Sequence, residues 1–316
     1  MKNLLLLLLC PLTMFSQLNI ESIDAFFNKK QYNKAEIILK NHLKQDRENQ
    51  EALEFLGDAY AYQEQWENAK TIYEKLVRLN STNANYHYKY GGSLGMIALQ
   101  NKFKAIAYVG DIKEAFLTAA KLDENHINTR WALVELYMQL PAIFGGSSSK
   151  ALAYANELEA LSKVDGYLAK GYVYEYDDKP ELAETFYKKA ITEGGSLVCF
   201  EKLTTFYEKS NKPEKAIKNL EKAHQKHPRN ALHYQIGKVS AQYNIALQKG
   251  EHCLKVYLKN YSAEDGVPKA WANYRLAQIH YHKQNKEQAL KYIELAIAEL
   301  PKIDVFKIHK QNILKL

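Results

Sequence analysis

Residues 50–83 read QEALEFLGDAYAYQEQWENAKTIYEKLVRLNSTN. Leu53, Leu56 and Tyr60 recur at helical spacing and form one apolar stripe, and Ile72, Tyr73, Leu76 and Leu79 form a second. Gln63 to Gln65 supply a polar turn between the stripes, and Trp66 opens the second helix as a large wedge. Gly57 and Ala69 are small where the two helices have to cross closely; a larger side chain at either place would push them apart. The stretch therefore reads as two antiparallel helices packed face to face. Such a pair cannot bury both of its apolar faces alone, so it needs neighbours of the same kind.

Those neighbours are present at a fixed period. Tyr32, Ala35 and Leu39 lie 34 residues before Trp66, Ala69 and Tyr73. Gly171, Tyr174, Ala183, Tyr187 and Ala190 repeat the register in residues 164–196, and Leu203, Tyr207, Ala216, Leu220, Ala223 and Pro228 repeat it in 197–230. Leu276, Ala277, His280, Ala289, Ile293, Ala296 and Pro301 repeat it in 270–303; Tyr234, Ile236, Gly237 and Leu254 give a looser copy with Gly250 in the small-residue slot. With Leu79-Asn80 closing the unit, the pattern resembles the tetratricopeptide repeat family, Leu53 standing where that family usually has Trp. The resemblance implies an all-α, right-handed superhelical solenoid of about eight helix pairs over residues 17–303, with a concave groove and no β-sheet. Residues 304–316, DVFKIHKQNILKL, are expected to form a C-terminal capping helix, with Phe306, Ile313 and Leu314 on one side and lysines on the other.

Composition agrees with a folded helical chain. Hydrophobic residues make up 47% and charged residues 25%, while 14 Gly and 7 Pro are too few for the turns of a β-rich fold. The N-terminus is a separate object. Lys2 precedes an unbroken apolar run from Leu4 to Leu9, extended through Phe15, and polar sequence starts at Ser16. This reads as a secretory signal peptide over residues 1–16, and it places the chain in the periplasm or outside the cell of a bacterium. A retained membrane anchor and a lipid-bearing Cys10 are the alternatives; the run is short of the roughly 20 apolar residues a span needs. No membrane association beyond export is expected. Without residues 1–16 the formal charge of +7 falls by the one Lys2 to +6, with no dense basic block, so nucleic acid is not an expected partner. Cys199 and Cys253 read as two buried free thiols rather than a disulfide framework.

Two adjacent units break the period. In the third, Gly91 is followed by Ile112 in the small-residue slot after 21 residues instead of the 12 that separate Gly57 from Ala69, so about nine residues are inserted. The inserted region is apolar, with Met96, Ile97, Leu99, Phe103, Ile106, Tyr108 and Val109. In the fourth, Ala151 comes five residues late after a Pro-Gly-Ser loop, Pro141 to Ser149, which carries Phe144, Gly145 and Gly146. Both insertions fall between the two helices of their unit and so belong on one edge of the stack. Either residues 96–110 and 141–149 build a binding site there, or the first lengthens two helices and the second covers their ends. The L-P then G-G-S pattern resembles one found in exported bacterial repeat proteins, a resemblance that brings no activity with it.

Catalytic or cofactor chemistry finds no foothold. GGSSSK at 145–150 lacks the spacing of a phosphate loop and reads instead as a helix cap on Ser147 or Ser148. His224, His227 and His233 are close in sequence but lack a fourth ligand, so no metal and no cofactor are expected. An enzyme is not expected either, since no nucleophile or zinc motif is present. What remains is binding. Carried over from the family, the groove-facing positions are Glu54, Asp58 and Tyr62, then Tyr88, Trp131 and Glu135, Tyr172 and Tyr176, and Trp271 and Tyr274. Aromatic residues on such a face would serve as binding hot spots or as packing between repeats. The carboxylates Glu54 and Asp58 rule out a clamp for the acidic tails of chaperones. The expected function is a protein-interaction scaffold for a protein or peptide of unknown identity, in the groove or on the inserted edge. The alternative is an envelope accessory that binds a small molecule, glycan or lipid at the apolar insertion. The oligomeric state is not legible.

Overall fold

The computed structural model describes residues 20–316; the signal segment lies outside the described residues. These residues form 17 α-helices and two short 3-10 turns, and no strand occurs among them. They fall into two compact units, one ending at Leu161 and the other beginning at Ser162.

The first unit is a row of four helix pairs: α1 and α2 (Ile20–Asn28, Tyr32–Leu43), α3 and α4 (Gln50–Tyr62, Trp66–Leu79), α5 and α6 (Ala84–Gln100, Lys102–Leu122), and α7 and α8 (Ile127–Gln139, Ser148–Leu161). The second is a row of four more: α9 and α10 (Lys163–Tyr176, Pro180–Glu193), α11 and α12 (Leu197–Lys209, Pro213–Lys226), α13 and α14 (Asn230–Tyr243, Leu247–Lys259), and α15 and α16 (Lys269–His282, Lys286–Glu299). The last helix, α17 (Asp304–Leu314), closes this row by burying Phe306 and Ile313 against α15 and α16. Each unit is thus a helical solenoid.

One packing device recurs. A small residue of each first helix receives a large side chain from its partner. A Cβ on Gly57 would lie 2.5 Å from the Tyr73 ring, on Gly171 2.6 Å from the Tyr187 ring, and on Gly237 2.3 Å from Leu254. The regular turns share a second device, a non-glycine residue in the left-handed region at Lys30, Glu64, Asp178, Asn211 and Gln284. In each, the amide one residue later donates to a carbonyl of the preceding helix, as Gln65 N does to Tyr60 O at 2.9 Å and Asn285 N to His280 O at 2.9 Å. This closes the helix with the last-turn carbonyl satisfied.

Surface ion pairs stitch neighbouring pairs together in the second unit. Glu184 on α10 accepts from Lys188 (2.6 Å), Tyr207 (3.0 Å) and Lys215 (3.0 Å). Partial burial alone would raise its carboxyl, but three donors to the charged form outweigh it and hold the pKa at about 2. Glu251 on α14 stands likewise at about 2, against the burial that would raise it, through Lys255 and Lys283. A carboxylate depressed on folding stabilises the native state above its unfolded pKa and loses that contribution as the pH falls through its folded one. Glu184→Gln and Glu251→Gln are therefore each expected to cost about 1 kcal/mol at neutral pH, discounted for the exposed lysines. In urea unfolding followed from pH 7 down to pH 2, the difference from wild type should vanish below about pH 4.5, towards pH 2.

Candidate functional site

The two insertions meet around one cavity of about 660 Å³ in the first unit. The nine added residues of the third pair do not loop out. They lengthen both helices, so α5 has 17 residues and α6 has 21 where α3 and α4 have 13 and 14. Gly91 keeps the device described above, with Phe116 in the place of Tyr73; a Cβ there would meet the Phe116 ring at 2.9 Å. A single residue joins the long helices. Asn101 ends α5, and its side chain caps α6 by accepting from Phe103 N (3.0 Å) and Lys104 N (3.3 Å).

After α7 ends at Gln139, the second insertion begins at Pro141 and makes a 3-10 turn over Ala142–Phe144. Gly145 then takes φ +92°, and a Cβ on Gly146 would lie 1.8 Å from Leu140 O. Both glycines are thus demanded by the chain path. Ser147 caps α8, its hydroxyl accepting from Lys150 N at 3.3 Å. Phe144 and Pro141 line the cavity beside Met96, Leu99, Ile106 and Val109 of the long hairpin, with Ile112, Phe116, Leu136 and Leu140 as further apolar wall.

The polar groups of this wall are largely committed within the fold. Lys89 donates to Glu54 (2.7 Å) and Asp58 (2.8 Å), Asn85 to Glu54 (2.7 Å), and Tyr73 Oη to Asp58 (2.6 Å). Burial would lower the Lys89 ammonium, yet the two carboxylates raise it; burial and then the charge of Asp58 push the Tyr73 phenol far up. Ser93 Oγ donates to Tyr90 O at 2.7 Å. The expected groove carboxylates Glu54 and Asp58 therefore bind the second pair to the third. Tyr88 lines the cavity with its ring 5.2 Å from His126 and 6.1 Å from Phe116, and Glu135 lines it from α7.

The edge itself is apolar and open. Phe103 is 88% exposed and Ile143 85%, and Leu99 and Ile106 are exposed at the cavity rim. Met96 sits at the border of exposure, whereas Ile97, expected on this edge, is buried at 3% and lies beside the turn and first residues of α4. Other expected groove residues are dispersed. Tyr62 is exposed and stacked on Tyr32 at 4.7 Å. Trp131 is half-buried. In the second unit Tyr172 lies 4.7 Å from the exposed Tyr176. Trp271 and Tyr274 pack on Phe306 at 4.9 and 5.0 Å, and Tyr274 is buried, so the terminal helix covers the face that the sequence left open. His224 and His233 lie ring to ring at 4.4 Å. Among the described residues no group of three or more His, Cys, Asp or Glu side chains could hold a metal ion, and Cys199 and Cys253 are buried free thiols.

Gly92, Gly95 and, as a wall, Trp66 are cavity residues that the repeat pattern does not single out. The glycine run GGSLG was a usable signal, since glycines cost helix stability unless something uses the missing side chain. The family model for the tetratricopeptide repeat matches residues 50–83, 164–193 and 272–299, which are the helix pairs α3–α4 and α9–α10 and most of α15–α16. These three segments are tetratricopeptide repeats. A tetratricopeptide repeat protein from Parabacteroides merdae ATCC 43184 has a similar crystal structure, with a TM-score of 0.51 and 14% identity over 93% of this chain and 97% of that one; the likeness is one of fold. Lower likeness is found to a thermophilic repeat protein from Thermus thermophilus (TM-score 0.47, 17% identity, 63% of this chain and 99% of that one). It is found also to YrrB, a repeat protein with an unusual peptide-binding site (TM-score 0.43, 20% identity, 62% and 98%). No curated protein matches the chain.

Proposed function

We propose that this chain is an exported protein-interaction scaffold that holds a segment of another protein on the edge built by its third and fourth helix pairs. The observation that carries the reading is the row of large apolar side chains left in water there, Leu99, Phe103, Ile106 and Ile143. Each such side chain gains about 1.5–3 kcal/mol when a partner covers it fully, and clustered exposure of this kind marks interaction sites. The repeat fold supplies rigid helices to present the edge. The concave positions Glu54 and Asp58 are already used between repeats, which favours the edge over the groove in this unit.

Affinity purification of the chain from envelope extracts tests this. Phe103→Asp and Ile143→Asp each place a charge on an exposed site, so thermal unfolding should be unchanged while a specific partner is recovered at least tenfold less. Equal recovery with both variants excludes the edge; loss instead with Trp131→Ala or Tyr172→Ala would move the contact to the groove.

A second reading is favoured by the cavity. Its volume of about 660 Å³ lies within the ~300–1,000 Å³ typical of small-ligand sites, so the same edge suits an apolar small molecule.

A further inference from the structure

We propose that the cavity of the first unit is a binding site for a single hydrocarbon chain, a fatty-acyl group. The proposal rests on the small-ligand reading above and names its ligand class.

Shape comes first. The wall runs from Ala61 and Trp66 of the second pair, through the long third pair, to Pro141 and Phe144 of the fourth. With packed helices on the order of 8–10 Å apart, crossing three successive pairs makes a site on the order of 20 Å long. About 660 Å³ drawn out over that length suits an extended ligand better than a compact one.

Chemistry narrows it further. Lys89 is consumed by Glu54 and Asp58, and Ser93 by a main-chain carbonyl. A sugar or an extended peptide would bring a series of hydroxyls or amides to a wall of Met96, Val109, Ile112, Phe116, Leu136 and Phe144, where the remaining polar side chains, Tyr88, Glu135 and Gln139, are too few to pair them all. A hydrocarbon chain brings none.

The third observation is independent. Gly92 and Gly95 stand inside α5 and line the cavity, and a Cβ on either would meet nothing within 4 Å. Gly91 is required by Phe116, but nothing in the protein requires these two. Glycine weakens a helix interior relative to alanine, and here the missing side chains leave room only for something that enters the cavity.

Palmitate titrated into the purified full chain by calorimetry, with native mass spectrometry for stoichiometry, tests the site. One palmitate per chain is expected. Gly95→Leu and Gly92→Leu should each weaken binding tenfold or more while thermal unfolding stays at or above the wild-type temperature. No palmitate binding by the wild type, or equal binding by both folded variants, overturns the proposal. Maltotriose serves as the second probe. If it binds in a Gly95-dependent way and palmitate does not, the hydrocarbon assignment falls and the small-ligand reading survives; if neither binds, both fall. Phosphatidylcholine vesicles decide the source, because Gly95-dependent co-sedimentation identifies a membrane lipid, and palmitate binding without it identifies a free acid. Either result upholds the site.

Discussion

Phe306→Ala is expected to destabilise the second unit by about 3–5 kcal/mol, in the range for truncating a fully buried phenylalanine. The ring is 0% exposed and packs on Trp271 at 4.9 Å and Tyr274 at 5.0 Å, inside a cluster that includes Ala277, Ile293 and Ile313. A terminal repeat has one apolar face with no successor to cover it, so its closing helix carries stability that an interior helix shares with two neighbours. Loss of the ring leaves a cavity and loosens α17 with it. Urea unfolding should show a lower midpoint for this unit, and hydrogen exchange should show lost protection in α15 and α16. The control is Ile308→Ala on the same helix, where 61% exposure predicts a change of less than about 0.5 kcal/mol.

Gly57→Ala should also destabilise, and the reason shows how the repeat is built. Alanine is favoured over glycine in a helix by about 1 kcal/mol, yet here its Cβ would stand 2.5 Å from Tyr73 Cε1. The ring is buried and pinned through its hydroxyl to Asp58 at 2.6 Å, so it cannot swing aside without breaking that bond. The overpacking cost of about 1–3 kcal/mol wins. Gly171→Ala against Tyr187 should behave the same way, since Tyr187 Oη is held by Glu175 at 2.8 Å. Gly95→Ala meets nothing and should instead stabilise by about 0.5–1 kcal/mol. Chemical denaturation of the three variants checks all three signs.

These glycines mark what the sequence could and could not disclose. Gly57 and Gly171 were legible, because a small residue recurring at one repeat position implies a close crossing. The helix pairs and the closing helix were legible for the same reason, as Trp66 and Pro180 begin the second helices where the period places them. The insertion was countable, but its form was not. Nine apolar residues can loop out or lengthen two helices, and the choice is made by Asn101, which ends one helix and caps the next. Lys89 sits 35 residues after Glu54 and 31 after Asp58, one repeat on, so the ion pairs that consume both acids were present in the spacing. Coverage of Tyr274 by Phe306 depends on where a terminal helix docks, which no periodicity encodes.

The central claim is that the chain binds through the apolar edge of its third and fourth pairs. The most direct test is site-specific photo-cross-linking in living cells, with a photoreactive phenylalanine at position 103 or 143 and, as controls, at the exposed positions 37 and 198. Covalent adducts to one partner from 103 and 143, and none from 37 and 198, is the predicted result. Adducts from the control positions alone, or from all four alike, would contradict it.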